Sequence, residues 1–239
     1  MAGDEGSSFS RDSMRFFGTV SASATHDLKN VLAVIQENAG LLEDLCRMAE
    51  RGRPLDPGRL MRLAVELQQQ VRRGDRIVSA MNRFAHSVDE EPKALDAAGL
   101  LELLAVLSAR FLAAKGLQLQ TTLPAAPASL PASPFLLIRL LWSCLERAAS
   151  LGCPAKILEL AGESAGEGLA FRIRGFAPPS GAAAVFLSAA ETRNLCTALG
   201  AALACSSGPG ELVIRLPAGS PRAVTRDPRE ARDRAGEET

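Results

Sequence analysis

Apolar residues recur along the first part of the chain at alternating steps of four and three. Leu28, Leu32, Ile35, Ala39, Leu42 and Cys46 form such a series, the heptad seam of a helix that packs side by side with another. The helical pattern runs from about Phe16 to Glu50. RGRPLDPG, residues 51–58, holds two prolines and two glycines and reads as a turn. A second helix is expected from Arg59 to Ser87, with Leu60, Ala64, Leu67, Val71, Gly74, Val78, Met81 and Ala85 on its seam. A further row, Leu63, Gln70, Ile77 and Phe84, widens its apolar face. Two such helices joined by a short turn make an antiparallel hairpin. A hairpin alone cannot bury two wide apolar faces. Pairing two hairpins into a four-helix bundle is the economical solution, so a homodimer is expected; cover by the rest of the chain is the alternative.

Composition shifts at Asp89-Glu90-Glu91-Pro92, which places a domain boundary there. Beyond it the pattern is mixed. A helix is expected from Asp96 to Lys115, ended by Gly116, followed by the alternating strand LQLQTT. A Pro/Ala loop at 123–134 leads to an apolar helix from Phe135 to Ser150. Strands at 155–161 and 168–174 come next, then a loop (GFAPPSGAAA), a helix at 188–201 and a last strand at 211–217. The expected class is α+β, with a disordered N-terminus at 1–10 and a hairpin domain at 11–90. An α/β domain follows at 91–217, and a charged tail expected to be disordered occupies 218–239.

The 239 residues suffice for one large domain or two ordinary ones. At 47% hydrophobic and 23% charged, the chain is globular in character. Lys and Arg total 27 and Asp and Glu total 27, so there is no basic excess of the kind that bulk nucleic-acid binding needs. No nucleic-acid partner is expected. The zero net charge is unevenly spread: between residues 51 and 83 eight arginines face only Asp56, Glu66 and Asp75, a surface able to steer an acidic partner. Five cysteines (Cys46, Cys144, Cys153, Cys196, Cys205) show no zinc spacing and read as buried thiols of a reducing cytoplasm. No run of roughly 20 uninterrupted apolar residues is present, and residues 1–13 lack the layout of a secretory signal. A cytoplasmic protein without a membrane partner is expected. Only two histidines, His26 and His86, exist. His86 falls at the end of the second helix, where a positive charge suits the helix terminus.

His26 lies in SATHDLKNVLAVI. On a 3.6-residue turn it shares a face with Ala22, Ser23, Lys29, Asn30 and Ala33, away from the Leu28/Leu32/Ile35 seam. Asp27 adjoins it, and its carboxylate can accept a hydrogen bond from one imidazole nitrogen, making the other the better nucleophile. Lys29 can neutralise an incoming anion. The small Ala22, Ser23 and Ala33 leave room for a partner.

His26-Asp27-Leu28-Lys29-Asn30 resembles the phosphoacceptor motif of two-component histidine kinases and their dimeric phosphotransferase relatives, in which it lies on the first helix of a dimerising hairpin. Val31 stands where many members have proline. The resemblance implies that His26 is the phosphoacceptor and Asp27 the neighbouring base. It gives Asn30 the part of orienting a water where a member is a phosphatase. The order of elements over 96–217 resembles the kinases' ATP-binding domain, an α/β sandwich, but its three nucleotide patterns depart. Ser143 and Arg147 stand where two asparagines belong, and an Arg cannot ligate a cation. GFAPP, residues 175–179, has no carboxylate for adenine, and residues 188–192 have no glycine where phosphates would pass.

A phosphoacceptor without an ATP site cannot phosphorylate itself, but it can relay a phosphoryl group between response-regulator receiver domains. The resemblance therefore implies a phosphotransferase with no bound cofactor, Mg²⁺ being supplied by the receiver. Two alternatives remain open at this level: a non-catalytic adaptor that binds a kinase or receiver, and an active kinase with a divergent pocket.

Overall fold

The computed structural model describes residues 2–89, 93–124, 129–166, 168–177, 182–206 and 210–217; the expected tail at 218–239 lies outside them. The first helix, α1 (Ala2–Glu50), is far longer than its apolar pattern. The sequence leaves residues 1–10 without structure, yet the helix begins at Ala2. That stretch holds no proline, and extending an established helix fixes only one more residue per added hydrogen bond. The turn at 51–56 leads to α2 (Pro57–His86), capped by Asp56, whose carboxylate accepts from the Gly58 amide at 2.9 Å. Pro57 takes the first turn, where its missing N–H costs nothing.

The two helices pack along a stripe that coincides only in part with the expected face: on α2 it takes Gly74 and the added row, and on α1 it leaves most of the seam. On α1 the buried positions are Phe16, Val20, Val31, Asn38 and Leu45, and on α2 they are Leu63, Gly74, Ile77, Ala80 and Phe84. At Gly74 an added Cβ would lie 3.4 Å from Val31 Cγ1 and 3.8 Å from Leu28 Cδ1, so this position faces α1 directly. Much of the expected seam stays open instead. Leu32 is 57% exposed and Val71 51%, and Ala39, Leu42, Cys46, Ala64, Val78 and Ala85 are exposed with them. Each helix carries two adjacent apolar stripes, and the hairpin consumes one.

The rest is a two-layer α/β domain: β1 (Lys93–Asp96), α3 (Ala97–Ala114), β2 (Gln118–Thr122), β3 (Ser129–Ala132), α4 (Pro134–Ser150), β4 (Ile157–Ala165) and β5 (Gly168–Arg174), then α5 (Ala182–Leu187), α6 (Ala190–Leu199), β6 (Ala202–Ser206) and β7 (Glu211–Leu216). Five strands form one sheet in the order β2-β4-β5-β7-β6, with β2 parallel to β4 and the other pairs antiparallel. β1 and β3 form a separate antiparallel pair. The expected 123–134 loop therefore contains a strand. It is four residues long with Pro131 inside it, too short for alternation to reveal. β6 lies just beyond the expected helix at 188–201, in a stretch given no element, and the six-residue α5 begins inside the expected loop. The helices cover one sheet face, onto which Leu158, Leu160, Phe171, Ile173, Leu212 and Ile214 are buried. Gly162 leaves room for α3: a Cβ there would sit 3.1 Å from Leu101 Cδ1. By length and composition α3 is apolar enough to cross a membrane. Here it is the core helix, with Leu100, Leu101, Leu103, Leu104, Leu107 and Leu112 buried.

One core runs through both parts. Phe16 of α1 meets Phe84 (5.7 Å between ring centroids), Phe135 (5.9 Å) and Trp142 (5.6 Å), and Trp142 in turn meets Phe111. Edge-to-face and tilted rings at such spacing contribute beyond their buried area. Polar clasps flank this knot. Arg83 donates to the Gly99 carbonyl at 2.8 Å. Arg139 of α4, 1% exposed, donates to Ser13 Oγ on α1 and pairs through Nε with Glu191 of α6 at 2.8 Å.

Candidate functional site

Residues 21–33 of α1 contain no glycine or proline, and they hold His26 in regular helix. The imidazole is exposed, as are Ala22, Lys29, Asn30 and Ala33; Ser23 and Asp27 are half-buried. His26 stands about 120° round the helix from Leu32, clear of the uncovered apolar stripe. Asn30, one turn on, places its amide Nδ2 at 3.2 Å from His26 Nδ1 and donates to it. The expected pairing of Asp27 with the imidazole is absent from the described hydrogen bonds. Asp27 instead faces Arg110 of α3, whose Nη1 lies 3.5 Å from Oδ1. The same Nη1 donates to His26 Nδ1. The structure thus brings His26, Asp27 and Asn30 together and adds Arg110, while Ala22, Lys29 and Ala33 lie open beside them.

Arg110 escaped the sequence argument because it sits 84 positions from His26. A signal did exist. In the eighteen residues of α3 the only charged side chains are Glu102 and Arg110, and an isolated arginine in so apolar a helix needs a partner.

A second concavity of about 300 Å³ opens between α4 and α6, lined by Ser143, Glu146, Arg147, Ser150, Phe186 and Thr192 among others. Ser143 Oγ and Thr192 Oγ1 are hydrogen-bonded across it at 3.1 Å. At the start of α6, Ala189 provides no side-chain cap, and the first turn carries the acidic Glu191. Arg193 Nη1 donates to the carbonyls of Leu187 and Ser188 at 2.6 and 2.8 Å. Burial raises the thiol pKa of Cys144 far above its ordinary value, with a smaller contribution from Cys196. Cys144 and Cys196 are the buried thiols; Cys46 is exposed and Cys153 and Cys205 half-buried, because Cys46 lies on the stripe that the hairpin leaves open.

No protein-family model matches the chain, and no curated protein sequence matches it. Among solved structures, it aligns with the Acinetobacter baumannii histidine kinase AdeS at 13% identity and TM-score 0.45, covering 82% of this chain and 98% of that one. A structure described as a bacterial phosphotransferase aligns at 16% and 0.42, covering 84% and 95%. The Erythrobacter litoralis blue-light activated histidine kinase EL346 aligns at 15% and 0.45, covering 84% and 63%.

Proposed function

We propose that the chain is a histidine phosphotransfer protein of a two-component phosphorelay, accepting a phosphoryl group on His26 from a receiver-domain aspartate and passing it to another receiver. The observation that carries this reading is the exposed imidazole on the hairpin's first helix, followed by Asp27, Lys29 and Asn30 in the phosphoacceptor pattern. This chain contributes a positioned, exposed imidazole as the nucleophile. Charge on the transferred phosphoryl is met by the receiver's Mg²⁺ and basic side chains, with Lys29 beside the path.

The α4–α6 concavity supports phosphotransfer over autophosphorylation. Its side chains do not fit a magnesium nucleotide: Arg147 puts a cation where a metal ligand would be needed, and Glu191 puts a carboxylate in the helix turn that would face phosphates. Its position argues the same way. Arg139 ties Glu191, on the rim of that concavity, to Ser13. At about 1.5 Å of rise per residue, Ser13 and His26 lie about 20 Å apart along α1. The open apolar stripe of Leu32, Leu42, Val71 and Val78 favours a homodimer through the hairpin, with His26 on the outward side.

The test is transfer from a panel of ³²P-labelled phospho-receivers to the full chain and to His26→Ala. Label should reach the wild type and not the variant. Label on His26→Ala, or none on either protein from any receiver, refutes the proposal. A variant that binds and regulates its partner without accepting label would mark an adaptor.

A further inference from the structure

We propose that Arg110 is a positioning residue that holds His26 in its unreactive tautomer, so that the docked α/β domain restrains the nucleophile until a phosphorylated partner draws the guanidinium away. The proposal rests on the phosphotransfer reading for its consequence, but not for its geometry.

A guanidinium has five N–H donors and no acceptor. Arg110 Nη1 is directed at His26 Nδ1, so that nitrogen must present its lone pair. The Asn30 amide donates to the same atom. In a neutral imidazole the proton then resides on Nε2, and a protonated ring nitrogen has no in-plane lone pair to attack phosphorus. The nitrogen that keeps its lone pair is the one the guanidinium covers. Arg110 also intercepts the residue that would reverse this. Asp27 can accept a hydrogen bond from Nδ1–H, but in the structure its Oδ1 lies 3.5 Å from Arg110 Nη1 instead. One side chain therefore occupies both Nδ1 and the carboxylate meant for it.

The contact spans the two parts of the molecule, since Arg110 belongs to α3 and His26 to α1. With its side chain 36% exposed, Arg110 is free enough to swing outward. An incoming phosphoryl group is a dianion and competes for the guanidinium through charge-assisted, bidentate hydrogen bonds. Once Arg110 leaves, Nε2 gives its proton to water and Nδ1 takes one from water, now donated to Asp27. The Nε2 lone pair then forms the N–P bond as the P–O bond to the receiver's aspartyl group breaks. The bonding pair leaves with that carboxylate, and the Nδ1 proton stays against Asp27.

The experiment uses the full chain with ¹⁵N-labelled histidine, read by imidazole ¹⁵N shifts and, separately, by the rate of label uptake from a phospho-receiver. In the wild type, His26 Nδ1 should show the downfield shift of an unprotonated nitrogen and Nε2 the shift of a protonated one. In Arg110→Gln the two should move toward each other or exchange, and uptake should rise about threefold or more. Nδ1–H as the dominant wild-type form overturns the latch while leaving phosphotransfer standing. So does slower uptake by Arg110→Gln, which would mean that the arginine assists the transfer. If neither protein accepts label, the phosphotransfer reading falls, and the ¹⁵N shifts still decide the tautomer.

Discussion

The Arg139–Glu191 pair is asymmetric, and the asymmetry can be measured. Arg139 is sealed at 1% exposure, whereas the Glu191 side chain is 37% exposed. In Glu191→Ala, the buried guanidinium loses the Glu191 carboxylate; breaking a buried pair from one side costs about 3 kcal/mol. In Arg139→Met, an apolar chain of similar length fills the space, Glu191 turns to water, and the Ser13 hydroxyl loses one donor. Such replacements are near neutral, so the loss should be about 1 kcal/mol or less. For a chain of this size 1 kcal/mol shifts Tm by roughly 3 °C. Glu191→Ala should therefore melt about 9 °C below the wild type and Arg139→Met about 3 °C below it. The free energies are read from urea unfolding followed by far-UV circular dichroism and extrapolated to zero denaturant, and the Tm values from thermal melts on the same signal. Protein concentration must be fixed, because an associating chain gains stability with concentration. If Glu191→Ala costs no more than Arg139→Met, the argument from burial is wrong.

Three further predictions concern association, thiols and acid. Aspartate at Val71 and Val78, both about half exposed in the single chain, should convert a dimer to monomer by light scattering with the helical content unchanged; a dimer that survives both charges does not use this stripe. Under an aromatic disulfide reagent the exposed Cys46 should react first. Burial raises the Cys196 pKa to about 11 and that of Cys144 further, so at neutral pH both stay protonated and should react only on unfolding; equal labelling of Cys144 and Cys46 in the native protein would contradict this. On the outer sheet face, hydrogen bonding to Arg172 lowers the Glu163 pKa and hydrogen bonding to Arg174 lowers that of Glu211. Carboxylates lowered in the folded state stabilise above their unfolded value and lose that stability as pH falls below about 4.5. The loss should be small, because these groups are partly exposed, and Glu211→Gln should flatten it; an acid limb unchanged in the variant would remove the ion-pair explanation.

The hairpin, its turn and the exposed face of His26 were legible because each is local. Heptad spacing, two prolines and a run free of breakers act within a few residues of where they are read. Which apolar stripe the hairpin would consume was not legible. Leu63, Gln70, Ile77 and Phe84 read as a supplementary row, yet Leu63, Ile77 and Phe84 form the buried contact, since two adjacent stripes give the same periodicity and only three-dimensional packing chooses between them. β3 and β6 are four and five residues long, too short for alternation to show through. Arg110 belongs to a longer-range class: its partner is named by docking of α3 against α1, which no sequence window contains. The departures at Ser143 and Arg147 were legible as residue types, whereas the Ser143–Thr192 bond across the concavity required the fold.

The aromatic knot between hairpin and sheet domain gives the protein a built-in optical gauge. The chain has one tryptophan and no tyrosine. That tryptophan, Trp142, is 6% exposed and lies within 6 Å of Phe16 on α1 and Phe111 on α3, ring centre to ring centre. Arg110 is the immediate neighbour of Phe111 in sequence, so the indole is in van der Waals company with the helix that carries the guanidinium. Native fluorescence therefore comes from a single emitter seated at the seam between the two parts. A receiver that lifts α3 from α1 should wet the indole and redden its emission, whereas one that binds the hairpin without disturbing the seam should leave the spectrum still. No dye or engineered reporter is needed to watch the junction open.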